Sequence, residues 1–260
     1  MSIPENGYPR AAAVSPRLHV ALSVDSTNKK LLTDAFDDPD GHPHLSAVLT
    51  RDQRAGRGRL DRTWTTPPGS ALAVSVLLRV GAVPVADRGW IPLVAGAAMA
   101  AAVGRQLDGL DVALKWPNDV LVGGLKICGI LAEVMAGDPH AVVVGAGVNT
   151  EMRAADLPVP TATSFSALNR TADEDQLLAD YLTGLRDAIA ALAVGGTTAD
   201  AAKQEVREAC ATVGAEVSVS LPDGSSLIGV ARELDGEGRL VVEAAGVTHV
   251  VSAGDVVHVR

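Results

Sequence analysis

Apolar positions along the chain change period several times, and the changes predict its elements. Leu18–Val24 and Ser46–Thr50 read as short strands. Between them, Ser26-Thr27-Asn28 offers capping side chains ahead of an amphipathic helix, KKLLTDAF. Ser70–Val80 is a β-rich run bounded by Pro-Pro-Gly and Gly, and 90–108 is an alanine-rich helix. Val112–Trp116 reads as a strand that Pro117 interrupts and Asp119–Val122 resumes, with a turn at Gly123-Gly124. Lys126–Met135 and Ala141–Gly147 are two more strands. Leu178, Leu182, Leu185, Ile189 and Leu192 stand at helical spacing within 174–193, and another helix is expected over 199–211. From about 212 short strands alternate with turns, and Asp223-Gly224 is a hairpin signal. The expected organisation is a loose arm over 1–16, a sheet-and-helix domain over 17–211, and a small barrel-like β module over 212–260.

Composition narrows the class. Hydrophobic residues make up 47% of the 260, enough for one large core and a small satellite domain. Aromatics are 3%, so the core is aliphatic and Trp64, Trp90 and Trp116 stand out individually. A net charge of −9 argues against a general nucleic-acid binder. Cys128 and Cys210 show neither metal-ligand spacing nor a disulfide framework, which makes a reducing cytoplasm the default. The N-terminus has no signal-peptide core. The longest apolar run, Trp90 to Gly104, is short for a membrane span. The six histidines have no metal spacing, and His42 and His44, in a Pro/Asp/Gly loop, are expected to be solvated.

Against this acidic background, residues 51–64 concentrate Arg51, Arg54, Arg57, Arg59 and Arg62, with Gly56 and Gly58 interleaved and Trp64 at the end. Arginine offers planar donors for phosphate or carboxylate, glycine allows close backbone approach, and an indole can stack on a base. The bland alternative is a solvated loop. Lys115-Trp116-Pro117-Asn118-Asp119 crowds a cation, a ring, an amide and a carboxylate at one strand end. Lys126 opens an apolar strand, and Gly129, three residues on, leaves room for a ligand against the sheet. Cys128 reads as a small buried hydrophobe. Gly145-Ala146-Gly147-Val148-Asn149-Thr150 hints at a dinucleotide fingerprint but lacks its third glycine, and no Walker motif occurs.

Taken together, Ser26-Thr27-Asn28, Gln53 with GRGRLDRTW at 56–64, KWPNDVLV at 115–122, KICGILAE at 126–133 and GAGVN at 145–149 resemble biotin protein ligase in order and spacing. The resemblance covers about residues 18–150 by motif. It implies an α+β fold, a mixed-sheet catalytic domain of the class II synthetase-like biotin/lipoate ligase type, followed by an SH3-like C-terminal barrel. It also implies ATP-dependent activation of biotin to biotinyl-5′-AMP, then transfer to a lysine of a biotin carboxyl carrier protein domain of biotin-dependent carboxylases. Magnesium would enter with ATP, with no dedicated protein metal site.

By the same resemblance Lys126, Arg59 and Asp119 are the catalytic candidates. Ser26, Thr27, Asn28, Gln53, Gly56, Arg57, Gly58, Arg59, Lys126 and Gly129 are implied to hold biotin and its adenylate. Trp64, Lys115, Asn118 and Asn149 are implied at the nucleotide. Many bacterial members carry an N-terminal winged helix-turn-helix; with about 25 residues before Ser26, no repressor function is expected.

The rivals are a lipoate or octanoate ligase of the same fold and, from another class, a nucleic-acid-binding module. The C-terminal strands carry few polar residues, so that module is expected to brace the nucleotide site and help dock the carrier without binding biotin. The arginine loop is expected to be mobile until a bound adenylate supplies counter-charge.

Overall fold

The computed structural model describes residues 7–60, 62–221, 224–252 and 254–259; Asp61, Asp223 and residues 1–6 of the expected arm lie outside them. In chain order the elements are α1 (Pro9–Val14), β1 (Leu18–Ala21), α2 (Thr27–Asp37), β2 (Ala47–Thr50), β3 (Gly56–Arg57), β4 (Thr63–Trp64), β5 (Ala71–Arg79), α3 (Ile91–Gln106), β6 (Val112–Lys115), β7 (Asp119–Val122), β8 (Leu125–Met135), β9 (Asp138–Asn149), α4 (Glu174–Val194), α5 (Gly196–Ala209), β10 (Glu216–Ser220), β11 (Ser226–Leu234), β12 (Leu240–Ala244), β13 (Val247–Val251) and β14 (Asp255–His258).

Seven strands form one mixed sheet in the order β1-β2-β5-β9-β8-β7-β6. β1 and β2 are parallel, and the other pairs are antiparallel. The two faces of the sheet are used differently. One is covered by the main core, in which Val74, Val76 and Leu78 of β5 and Val142, Val144 and Ala146 of β9 join the apolar residues of α3 and α4. On the other, α2 buries Leu31 and Ala35 against Val48, Leu77, Ala141, Val143 and Met135. Because side chains on a strand alternate, this second face continues from Leu77 to Ser75 and Ala73, and from Val143 to Gly145 and Gly147. The large apolar residues stop where α2 begins, and small ones take over. A hollow is left there.

Several expectations are corrected. Residues 9–14 are helix, not loose arm: Pro9 sits in the first turn, where its missing N–H costs nothing. Asp175 accepts from the backbone N–H groups of Arg10 and Ala11 at 3.1 and 3.0 Å, and the buried Tyr8 hydroxyl donates to Glu174 at 3.0 Å. Residues 112–122 are not one interrupted strand. Asn118 N–H donates to Lys115 O at 3.1 Å, the chain reverses, and β6 pairs antiparallel with β7. His42 is buried, with Nδ1 2.8 Å from Asp38 O, and His44 Nδ1 accepts from Arg79 N–H at 3.0 Å.

The C-terminal strands form a five-stranded antiparallel sheet in the order β13-β12-β11-β10-β14. Its apolar residues, among them Val217, Val219 and Leu240, belong to the same core as the large sheet. Two buried indoles fasten the turn between β11 and β12: Trp90 Nε1 donates to Gly236 O at 2.9 Å and Trp116 Nε1 to Gly238 O at 3.0 Å. A buried indole N–H needs such an acceptor.

Candidate active site

The hollow on the α2 face is a cavity of about 480 Å³. Ser26 caps α2 by accepting from Lys29 N–H at 3.4 Å, and this fixes the residues after it at the cavity wall. Thr27 donates to Gln53 Oε1 through its backbone N–H (2.8 Å) and its hydroxyl (3.0 Å). Ser75 Oγ lies 2.7 Å from Thr27 Oγ1 and 2.5 Å from Asn28 Oδ1. The Asn28 amide donates to Glu133 Oε2 at 2.8 Å and to Leu131 O at 3.2 Å. One end of the cavity is therefore lined by mutually oriented uncharged side chains, with Arg57 beside them on the same Glu133 oxygen as Asn28.

The floor is made of strand glycines. Gly129 of β8 pairs with Gly147 of β9, and Leu131 with Gly145. A Cβ on Gly145 would stand 2.2 Å from Asn28 Oδ1, and one on Gly147 would stand 2.7 Å from Trp64 Cζ2. The glycines of the GAGVN segment are thus not a phosphate loop ahead of a helix. They let the Asn28 amide and the Trp64 ring lie flat on the sheet.

The other end is charged. Lys126 Nζ is 2.6 Å from Asp119 Oδ1. A Cβ on Gly129 would come within 3.2 Å of that ammonium, so the glycine is what lets the lysine lie across the strand. Burial pulls the Lys115 ammonium below its ordinary range; Asp119 opposes that shift and Lys126 adds to it. Arg59 is likewise lowered by burial first, against the pull of Asp119, and Arg62 adds to the lowering. Its guanidinium donates to Asn118 Oδ1 at 3.1 Å and to Gly254 O at 3.3 Å. Asn118 is held in turn through Nδ2 to Ile130 O at 2.8 Å. Cys128 is buried, and burial pushes its thiol up to about 12.

Most of the residues implied at the site by sequence line this one cavity: Ser26, Thr27, Asn28, Gln53, Arg57, Gly58, Arg59, Trp64, Lys115, Asn118, Asp119, Lys126 and Gly129. Two do not. Gly56 lies in β3 opposite Trp64, where a Cβ would meet the Trp64 carbonyl oxygen at 2.3 Å. Asn149 is buried and donates to Thr163 O at 2.9 Å, tying the loop after β9 to its strand.

Other residues reach the cavity unannounced by sequence. Ser220, Asp255, Val256 and Val257 line it from the C-terminal sheet, so the expectation that this module has few polar groups to offer a site is corrected by Ser220 and Asp255. Glu133 pairs with Arg57 at 2.9 Å, and Asp255 pairs with Arg62. Arg51 pairs with Glu151 at 2.8 Å and Arg54 with Asp52 at 3.5 Å. The premise of an arginine loop without counter-charge therefore fails, because Glu133, Glu151 and Asp255, far away in sequence, are brought to it and Asp52 lies within it. An alternating strand pattern does not say which acid will face which arginine.

Among the described residues no three His, Cys, Asp or Glu side chains stand close enough together to hold a metal ion, and no helix is long and apolar enough to cross a membrane.

The model of the biotin/lipoate A/B protein ligase family matches residues 20–149. The chain is 38% identical over 248 residues to the biotin–[acetyl-CoA-carboxylase] ligase of Mycobacterium tuberculosis, covering 94% of this chain and 90% of that protein. It is 30% identical over 237 residues to the bifunctional ligase/repressor BirA of Escherichia coli, covering 90% of this chain and 71% of that one. In fold it resembles the biotin protein ligase of Aquifex aeolicus, solved in complex with biotin and ATP, at a TM-score of 0.77 and 22% identity over 94% of this chain and 99% of that one. With its five motifs gathered around one cavity and this relatedness over nearly its whole length, the chain belongs to the biotin protein ligases of the biotin/lipoate ligase family.

Proposed function

We propose that the cavity performs both half-reactions of an ATP-dependent biotin–carrier-protein ligase. The observation that carries this reading is the division of one cavity into a neutral polar end (Ser26, Thr27, Gln53) and a cationic end (Lys115, Lys126, Arg59). The first suits an uncharged heterocycle that exchanges hydrogen bonds, and the second suits a carboxylate meeting a phosphate.

In the first step an oxygen of the biotin carboxylate attacks the α-phosphorus of ATP. The bond to the bridging oxygen breaks, pyrophosphate leaves, and biotinyl-5′-AMP forms. Two anions have to approach one another, so fixed positive charge lowers the barrier. Lys126 is placed to move from Asp119 onto the incoming oxygens, with Lys115 and Arg59 behind it. In the second step an uncharged lysine ε-amine attacks the acyl carbon, the bond to the phosphate oxygen breaks, AMP leaves and an amide forms. Asp119, at the phosphate end, is the group able to take the amine's proton. Trp64, flat on Gly147, offers a face for the adenine, and Asn118, held against Arg59, offers its amide to the nucleotide. The 56–64 hairpin excludes water from a mixed anhydride that would otherwise hydrolyse.

Magnesium is proposed to arrive with ATP as part of the substrate, since the carboxylates in the cavity are already paired with cations. The acceptor is proposed to be the carrier domain of a biotin-dependent carboxylase. The test is pyrophosphate release on addition of ATP with biotin, with lipoate or octanoate in parallel. Release with biotin supports the reading; release with lipoate instead moves the chain to the rival branch of the family.

A further inference from the structure

The hairpin over the cavity is too small to hold itself. β3 and β4 share two residue pairs, Gly56–Trp64 and Arg57–Thr63, and a short two-stranded ribbon is marginal in water. It must be held by its side chains, and these anchor on both sheets. Arg57 reaches Glu133, on the large sheet. Arg62 pairs with Asp255, the first residue of β14, and Arg59 donates to the carbonyl of the preceding Gly254 at 3.3 Å. Asp255, with its neighbours Val256 and Val257, also lines the cavity. The far side of the hairpin is therefore fastened to the C-terminal module through Arg62 and Arg59, while Arg59 also reaches Asn118 of the domain that carries the hairpin at 3.1 Å.

We infer that Asp255 is a positioning residue that latches the hairpin through Arg62, so that retention of the acyl-adenylate depends on the C-terminal module. This rests on the functional reading above. Opening the hairpin toward solvent requires that this pair separate. Asp255 is the better fixed partner, with its side chain 27% exposed against 62% for Arg62, so the acid serves as post and the arginine as hook. The pair can therefore be released and remade without disturbing the core.

The experiment is the release of radiolabelled biotinyl-AMP bound to the full chain, chased with excess unlabelled biotinyl-AMP. Asp255→Arg replaces attraction by repulsion and is expected to speed release about tenfold; Arg62→Asp, which leaves the C-terminal sheet untouched, is expected to do the same. The double variant R62D/D255R restores the pair with its polarity exchanged and should return release to within about twofold of the parent, which a purely packing role for Asp255 would not produce. Two results overturn the latch: release indifferent to Arg62→Asp, or a folded double variant no slower than the single ones. If Asp255→Arg fails to fold, Arg62→Lys decides instead, since it keeps the charge and must stay near the parental rate while Arg62→Asp does not. A parent chain that neither forms nor holds the adenylate overturns the functional reading and the latch with it. A chain that holds it with release independent of the pair overturns the latch alone.

Discussion

Lys126 and Asp119 meet at 2.6 Å across the bare backbone of Gly129. The two residues belong to neighbouring antiparallel strands, with Asp119 registered opposite Gly129 and Lys126 opposite Leu121. A half-exposed ammonium is thus held beside a mostly buried carboxylate.

Lys126→Ala should slow adenylation at least about a hundredfold, the usual cost of losing one charge-stabilising group in such a site. Transfer should slow as well. Pyrophosphate release and single-turnover transfer measure the two steps, and circular dichroism checks the fold. Near-parental pyrophosphate release would remove Lys126 from its role.

Arg59→Gly should loosen the hairpin, because one side chain ties it to both Asn118 and Gly254. The variant is expected to make adenylate but release it on the order of a hundredfold faster. It should then biotinylate lysines of bystander proteins. In the parent, amide exchange over residues 53–64 should slow when biotinyl-AMP binds. Retention of the adenylate as tight as in the parent would contradict the lid role.

Gly147→Ala introduces a methyl that would stand 2.7 Å from the Trp64 ring, so the indole must move. If Trp64 faces the adenine, KM for ATP should rise about tenfold while KM for biotin changes far less. Steady-state kinetics with each substrate varied in turn checks this, and a change in tryptophan emission reports the displaced ring. Equal effects on the two substrates would count against the adenine assignment.

His258 and His44 both titrate below the ordinary imidazole range, in each case through burial first, aided by Lys115 and Arg79 respectively. The His44 contact agrees with a neutral ring, since its Nδ1 accepts a backbone N–H at 3.0 Å. A depressed folded value means that below about pH 6.5 the unfolded chain binds more protons than the folded one. Stability should therefore fall as pH drops through that value and level off below the folded values. Urea midpoints measured across this range should show the decline, and the H44Q/H258Q pair should flatten it.

Much of this protein was legible in the chain itself. Period-two and helical spacings marked most elements, because burial of one face leaves its period in the sequence. Order and spacing of Ser26-Thr27-Asn28, GRGRLDRTW, KWPND and Lys126 pointed to residues that line one cavity, since those residues are local to strand ends and a cap. The 9–14 helix leaves no signal in its own sequence because Asp175, Glu174 and the docking face of α4 hold it, and none of these is near it in sequence. The reversal at Pro117 was hidden because an interrupted strand and a hairpin share one apolar pattern.

Partners of the arginines belong to the same class of question. Glu133 and Asp255 reach Arg57 and Arg62 through sheet register and domain packing, which no local pattern encodes. The glycines of GAGVN could be counted in the sequence, yet their purpose depended on which sheet face α2 leaves uncovered. Sequence determined which chemistry the chain carries. Tertiary structure decided which charges neutralise one another and that the C-terminal sheet would close the cavity, because pairing across long separations is set by how the folded surfaces meet.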